Sequence, residues 1–249
     1  MKLRTTIFAA VFALIMLCSC SREGFEESLN RKDDPKDKAA SSAQFNEADA
    51  EEFIFDLSTK DIQDGNCLYY CDMPIAASPK AADAADKIAA AMEKVISEIA
   101  DETADGREFE EFTLYNAVTR NDGKTFSVVF EAELYPVDGD SEEYVIGFIF
   151  NAQTGERMQL KELIKPEALV TLILDEQSSK VSGRKEELVA RKRAYLSDCG
   201  EKQLTGRLTD SYKKDIPIDA SYYFDGDDLV SAFSAVKEFG EAIEVSIVL

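Results

Sequence analysis

Between positions 81 and 99 apolar residues recur every three or four residues: Ala81, Ala85, Ile88, Met92, Val95, Ile96 and Ile99. Lys87, Glu93, Lys94 and Glu98 take the opposite side, so the pattern predicts an amphipathic helix of about six turns. Ser78 and Pro79 mark its start, a serine N-cap followed by a proline whose missing N–H costs nothing there, and Gly106 marks its end. Strand signals flank the helix. Cys67-Leu68-Tyr69-Tyr70-Cys71 is a short apolar and aromatic run before it. After it, Phe112, Leu114 and Val118 lead to the tight-turn sequence Asn121-Asp122-Gly123, and Phe126, Val128, Phe130, Ala132 and Leu134 then alternate with the other face. Residues 144–150 are apolar on both faces, which predicts a central strand.

Two more helices are expected over 167–180 and 184–198, the second closed by Gly200. Strands follow over 218–224, 229–233 and 243–249, the first two joined by Asp225-Gly226-Asp227-Asp228. Strands and helices are grouped rather than strictly alternating, and no internal repeat is evident. The fold class is therefore α+β, an antiparallel sheet packed with three main helices. About 200 residues after the N-terminal region suffice for a substantial core.

The N-terminus has its own pattern. Lys2 and Arg4 precede an unbroken apolar run over 7–17, too short for a spanning helix but suited to the core of an export signal. The run ends in Leu17-Cys18-Ser19-Cys20, which resembles the bacterial lipobox. That resemblance makes residues 1–19 a signal peptide cleaved after Ser19 and makes Cys20 the acylated, palmitate-bearing N-terminus, anchoring the chain to a membrane. Residues 20–50 then read as a flexible tether. They mix charges such as Arg31, Lys32, Asp33 and Asp34 with small residues, and only Phe25, Leu29 and Phe45 are large and apolar, too little to offset ordering entropy. The expected location is the bacterial cell envelope, on the outer membrane or the outer face of the cytoplasmic membrane.

Charge narrows the function further. The 249 residues include 49 acidic and 28 basic side chains, a formal charge of −21, which becomes −23 when Lys2 and Arg4 leave with the signal. Such a chain is a poor nucleic-acid binder but would attract a strongly basic partner and speed its association. Histidine is absent, which removes Ser-His-Asp and Cys-His nucleophile systems and every imidazole metal site. The expectation is a non-enzymatic protein with no cofactor and no metal site, with a hydrolase acting through paired carboxylates as the minor alternative.

The segment Phe148-Ile149-Phe150-Asn151-Ala152-Gln153-Thr154-Gly155-Glu156, continuing through Leu160-Lys161-Glu162-Leu163, resembles the strand, Asn-x-x-Thr-Gly turn and Leu-x-acid-Leu segment of a known envelope family. The ending 218–249 is similar to that family's C-terminal module, and 67–99, more weakly, to its partner module. These are the paired extracellular modules of RsiV, a lysozyme-sensing anti-sigma factor, found also beside the deacetylase domain of PdaC and in many lipoproteins as a domain of unknown function. The resemblance implies two intimately joined modules, an N-terminal one over 51–152 and an RsiV-like one over 153–249. It further implies a binding role toward lysozyme-like cationic proteins or, alternatively, peptidoglycan or another wall polysaccharide. The 236–240 segment is shorter than the family's usual stretch there, and no sigma-binding segment is present, so an anti-sigma role is not implied.

Individual residues leave several readings open. Cys67, Cys71 and Cys199 survive maturation, and export favours a disulfide. In a strand Cys67 and Cys71 would lie roughly 13 Å apart, beyond the ~7 Å reach of a bridge, so Cys199 with Cys67 or Cys71 is the candidate pair; three buried thiols are the alternative. The acidic groups Asp138, Asp140, Glu142, Glu143 and Asp225, Asp227, Asp228 match no calcium loop and sit at expected turns; they are the candidate acidic partner surface. Tyr69, Tyr70, Tyr222 and Tyr223 are candidates for stacking on sugar. Six basic residues between Lys180 and Arg193 should form a solvated helix face.

Overall fold

The computed structural model describes residues 47–234, 236, 239 and 241–248. The expected signal, its cleavage point at Ser19, Cys20 and most of the tether lie outside the described residues. The described residues all fall in one compact unit. A 3-10 segment, Glu47–Phe53, begins within the stretch expected as tether.

Strands β1 (Asp56–Asp64) and β2 (Cys67–Ile75) form a hairpin, and helix α1 (Ala82–Ala104) carries the chain to β3 (Phe109–Asn121), β4 (Thr125–Pro136) and β5 (Glu142–Asn151). The start of the helix follows the expectation. Ser78 Oγ accepts a hydrogen bond from the Ala81 N–H at 3.3 Å, and Pro79 opens a single 3-10 turn that runs into α1. Beyond Ala104 the chain turns left-handed at Asp105 and Gly106 (φ 49° and 75°), and the Arg107 side chain donates to the carbonyls of Thr103 and Ala104. These bonds satisfy acceptors that the last helical turn leaves open.

The five strands stand in the order β1-β2-β3-β4-β5. Strands β3, β4 and β5 form the expected antiparallel meander, but β2 and β3 run parallel, so the sheet is mixed. A parallel pair needs a crossover, and α1 provides it. The polar edge strand β1 carried no signal because it is exposed along nearly its whole length and has no buried face to impose alternation.

The chain continues through a one-turn helix α2 (Leu160–Leu163), α3 (Pro166–Leu174), β6 (Ser179–Val181), α4 (Glu186–Ser211), β7 (Ser221–Asp225), β8 (Asp228–Phe233) and β9 (Ile243–Val248). The second sheet is antiparallel in the order β6-β9-β8-β7. The helix expected over 167–180 stops at Leu174, because Ser179 and Val181 are buried in a strand paired with β9. The next helix does not end at Gly200. It breaks there (φ 72°, ψ 164°) and resumes to Ser211, so Leu204 and Leu208 also enter the core. Nor is the basic stretch wholly solvated: Lys192 is buried, its Nζ 2.6 Å from Glu241 and donating to the Ala242 carbonyl at 3.0 Å.

Three apolar layers result. Helix α1 packs its predicted stripe on Phe112, Leu114, Phe130 and Ile146 of the first sheet. Helices α3 and α4 cover the second sheet, with Leu169, Ile173, Leu196, Leu204 and Phe233 at the centre. Between the sheets lie Val129, Val145, Tyr223, Val230, Ala232 and Ala242.

Strand β5 was expected at the centre of a sheet and stands at an edge. It is apolar on both faces because α1 covers one and the second sheet covers the other. Six of its outward backbone groups are met by side chains and loops. The Val145 N–H donates to Ser234 Oγ and the Gly147 N–H to Ser221 Oγ, each at 2.8 Å; both hydroxyls in turn donate to the Val145 carbonyl. Further along, the Met158 N–H donates to the Ile149 carbonyl and the Asn151 N–H to the Glu156 carbonyl. At Gly147 the sheets approach so closely that a Cβ would stand 2.7 Å from the Tyr223 ring and 2.9 Å from the Tyr222 backbone.

The Asn-x-x-Thr-Gly motif is structural. Asn151 Oδ1 accepts from the N–H groups of Gln153 and Thr154, and Gly155 (φ 72°) lies where a Cβ would be 2.7 Å from the Ala84 carbonyl oxygen of α1.

Replacing Ser221 or Ser234 with alanine leaves a buried N–H of β5 unpaired, and urea denaturation should record a loss of about 1–3 kcal/mol. Ser231 is equally buried, but its hydroxyl has no partner among the described residues, so Ser231→Ala should be neutral or stabilising. Equal losses for Ser231 and Ser234 would refute this account of the edge.

Candidate functional site

Alternation along β3 and β4 sends Phe112, Leu114, Phe126, Val128, Phe130, Ala132 and Leu134 toward α1. The intervening residues occupy the other face. The second sheet covers that face where β7 and β8 cross it, from Arg120 and Ser127 to Val129, Val145 and Gly147. The rest stays open, and pairing fixes what it displays. Tyr70 lies beside Tyr115, Tyr115 opposite Glu131, Glu111 opposite Tyr135, and Glu133 between Thr113 and Glu143. The Tyr70 and Tyr115 rings stack with centroids 5.2 Å apart and planes within 9°, and each residue remains more than two-fifths exposed. Tyr135 donates its hydroxyl proton to Glu133 Oε2 at 2.8 Å. Thr113, on the same face, is buried, and its hydroxyl finds no partner among the described residues.

The carboxylates are held close against their mutual repulsion. Partial burial, then Glu244 and Glu133, push the Glu131 carboxyl above the ordinary carboxylate range. Partial burial likewise raises Glu143, assisted by Glu241, Glu131, Glu244 and Glu133. Burial, Tyr70, Glu133 and Glu111 raise the Tyr115 phenol, so it stays a neutral donor at physiological pH. Tyr223 donates to Glu244 at the seam where the second sheet begins. Beyond Glu143 the acidic surface continues into a cleft of about 610 Å³ between the end of α1, the start of β5 and residues 214–219. Glu98, Glu102 and Asp105 line its wall, and Ile216 and Ile218 its apolar part.

The two acidic groups singled out in the sequence do not meet. Asp138, Asp140, Glu142 and Glu143 precede or begin β5, whereas Asp225, Asp227 and Asp228 form the β7–β8 turn. Ser221 of β7 lies beside Val145 and Gly147, and Phe224 beside Ser127, which pairs with Ile149. The second turn therefore sits at the far end of β5, roughly 25 Å away at ~3.3 Å per residue. Glu142 is bound to Arg107 through two 2.7 Å bonds and accepts a third from the Tyr144 hydroxyl. Of the seven, Glu143 alone joins the open face. Of the four tyrosines, Tyr70 is exposed, while Tyr69, Tyr222 and Tyr223 are buried. The residues missed were Tyr115, Tyr135, Glu131, Glu133 and Glu244. Their signal was the polar half of an alternating strand, Glu131-x-Glu133-x-Tyr135, on a face the apolar positions do not use.

The expected bridge between Cys199 and Cys67 or Cys71 is not formed; all three thiols are free. Cys67 and Cys71 belong to the core under the first sheet and Cys199 to the core of the second. Burial pushes the Cys71 thiol up to about 12, leaving it an inert apolar side chain. Among the described residues no group of three or more acidic or cysteine side chains is arranged to hold a metal ion.

No protein-family model matches the chain, and no curated protein matches it. Among solved structures it is similar to a DUF3298 family protein from Pseudomonas aeruginosa PAO1, at 11% identity over 78% of this chain and 88% of that one, with a TM-score of 0.36. It is also similar to a member of the same family from Bacteroides fragilis NCTC 9343, at 14% identity over 78% and 89%, with a TM-score of 0.43. These neighbours belong to a domain family of unknown function.

The raised carboxyls make a signed prediction. Glu143 holds its proton to higher pH in the fold than in the unfolded chain, so across that window the native state binds more protons and stability falls as pH rises. Glu143→Gln should therefore raise the melting temperature by about 1–3 °C at pH 7.5 and lose that advantage by pH 4, as scanning calorimetry at the two pH values would show. A gain independent of pH would remove the electrostatic explanation.

Proposed function

We propose that the chain is a non-enzymatic binding module of the bacterial cell envelope that captures a cationic protein of the lysozyme type on the open face of its first sheet. The observation that carries this reading is the exposed Tyr70–Tyr115 stack bordered by Glu131, Glu133 and Glu143. Aromatic rings supply contact area at low entropic cost, and carboxylates such as Glu131 and Glu143, destabilised by partial burial and then by their neighbours, gain most from a lysine or arginine brought among them. The overall charge of −21 adds long-range attraction for a basic partner. The lipid anchor at Cys20 and the envelope location remain part of the proposal. Among the described residues no helix is long and apolar enough to cross a membrane.

The flat stack also favours a second reading, a cell-wall glycan laid across the rings. Salt separates the two. Calorimetric titration of residues 21–249 with a basic lysozyme should give saturable binding at about 0.01 M salt. Affinity should fall at least about tenfold by 0.15 M, as the Debye length contracts from about 30 Å to about 8 Å. Tyr115→Ala should cost a further factor of about ten or more, as for a central interface residue. No heat at low salt would overturn the lysozyme reading. Retention on purified cell wall at high salt, lost in Tyr115→Ala, would replace it with the glycan.

A further inference from the structure

Helix α3 and the first half of α4 leave a groove of about 690 Å³ between them, within the ~300–1,000 Å³ range of small-ligand sites. Its floor is apolar. Ile173 and Leu196 are buried, Leu174 and Val189 are half-buried, and the α4 positions that would otherwise fill the channel are Ala190 and Ala194. One end is closed by the loop 182–185, which lies so close to α4 that a Cβ on Gly183 would stand 2.7 Å from Val189 Cγ2. That loop carries Arg184 and Lys185, both exposed. Arg193 enters from α4 and is fixed by bonds to the Ser179 carbonyl (2.6 Å) and hydroxyl (3.1 Å).

Three cations thus line the groove against Glu176 and Glu186. The cleft at the end of α1, by contrast, has two basic residues among seven acidic ones. In a chain of charge −21, a basic rim over an apolar floor selects a ligand with an anionic head and an apolar tail.

We propose that this groove binds a long-chain carboxylate, its tail along Ile173, Leu174 and Val189 and its head at Arg184 and Lys185. The two arms of such a ligand match the two chemistries of the groove, and neither is served by the open acidic face. An anionic membrane surface would satisfy the cations alone and would leave the floor empty.

The test is calorimetric titration of residues 21–249 with oleate below its micellar concentration, with native mass spectrometry for stoichiometry. The expected result is saturable one-to-one binding. Ala194→Phe, at an exposed helix position, should fill the channel and weaken oleate at least about tenfold with the melting temperature unchanged. Ala190→Leu serves the same end if that variant fails to fold. Arg184→Gln with Lys185→Gln should weaken oleate about tenfold and leave oleyl alcohol unaffected. Non-saturating uptake, or oleate binding indifferent to both the filling and the charge variants, would overturn the proposal. So would binding to phosphatidylglycerol vesicles with no affinity for free oleate.

Discussion

The structure depends on how β5 is sealed. An edge strand presents unpaired N–H and C=O groups, and these are costly when apolar surface is packed over them. Here the hydroxyls of Ser221 and Ser234 meet Val145 and Gly147, and the turn after Asn151 meets Ile149 and Asn151. With these groups met, β5 can bury both faces, and the absent side chain at Gly147 lets β7 lie directly upon it. The two sheets are thereby one body rather than two neighbours on a string.

The same seam decides what stays open. The second sheet covers the first around β5, the adjoining part of β4 and the end of β3 at Arg120, and leaves Tyr70, Tyr115, Glu131, Glu133 and Tyr135 exposed. On those positions the chain places tyrosines and glutamates instead of the small or uniformly solvating residues that would suffice for solubility. The carboxyls of Glu131 and of Glu143 at the start of β5 are shifted, by partial burial first and by neighbouring carboxylates second, in the direction that costs stability at neutral pH. A surface held against its own repulsion would be relieved by a positive charge, unlike the better-paired carboxylates such as Glu142.

Charge is unevenly distributed as well. The acidic face belongs to the first sheet, and the basic groove to the helices that cover the second. The basic run between Lys180 and Arg193 is divided by the fold: Lys192 turns inward to anchor the loop at Glu241 and Ala242, while Arg184 and Lys185 remain outside. A run of like residues thus yields two cations bonded into the fold, Lys192 and Arg193, and two, Arg184 and Lys185, left exposed.

Local periodicity made much of this legible. The α1 stripe with its Ser78-Pro79 start, the β3–β4 hairpin around Asn121-Asp122-Gly123 and the final strands follow from patterns of 3.6 and 2 residues and from turn chemistry, all of which act within a few residues. The candidate site was legible in part: Tyr70 and Glu143 were named, but nothing local pairs Tyr70 with Tyr115 across a parallel register separated by a whole helix. β1 and β6 were invisible because a polar edge and a three-residue strand exist only through their partners. The edge position of β5, the far separation of the two acidic turns and the free state of Cys199 were likewise decided by long-range packing. Alternation tells which residues turn away from the core; only the docking of one sheet on another determines which of those meet water.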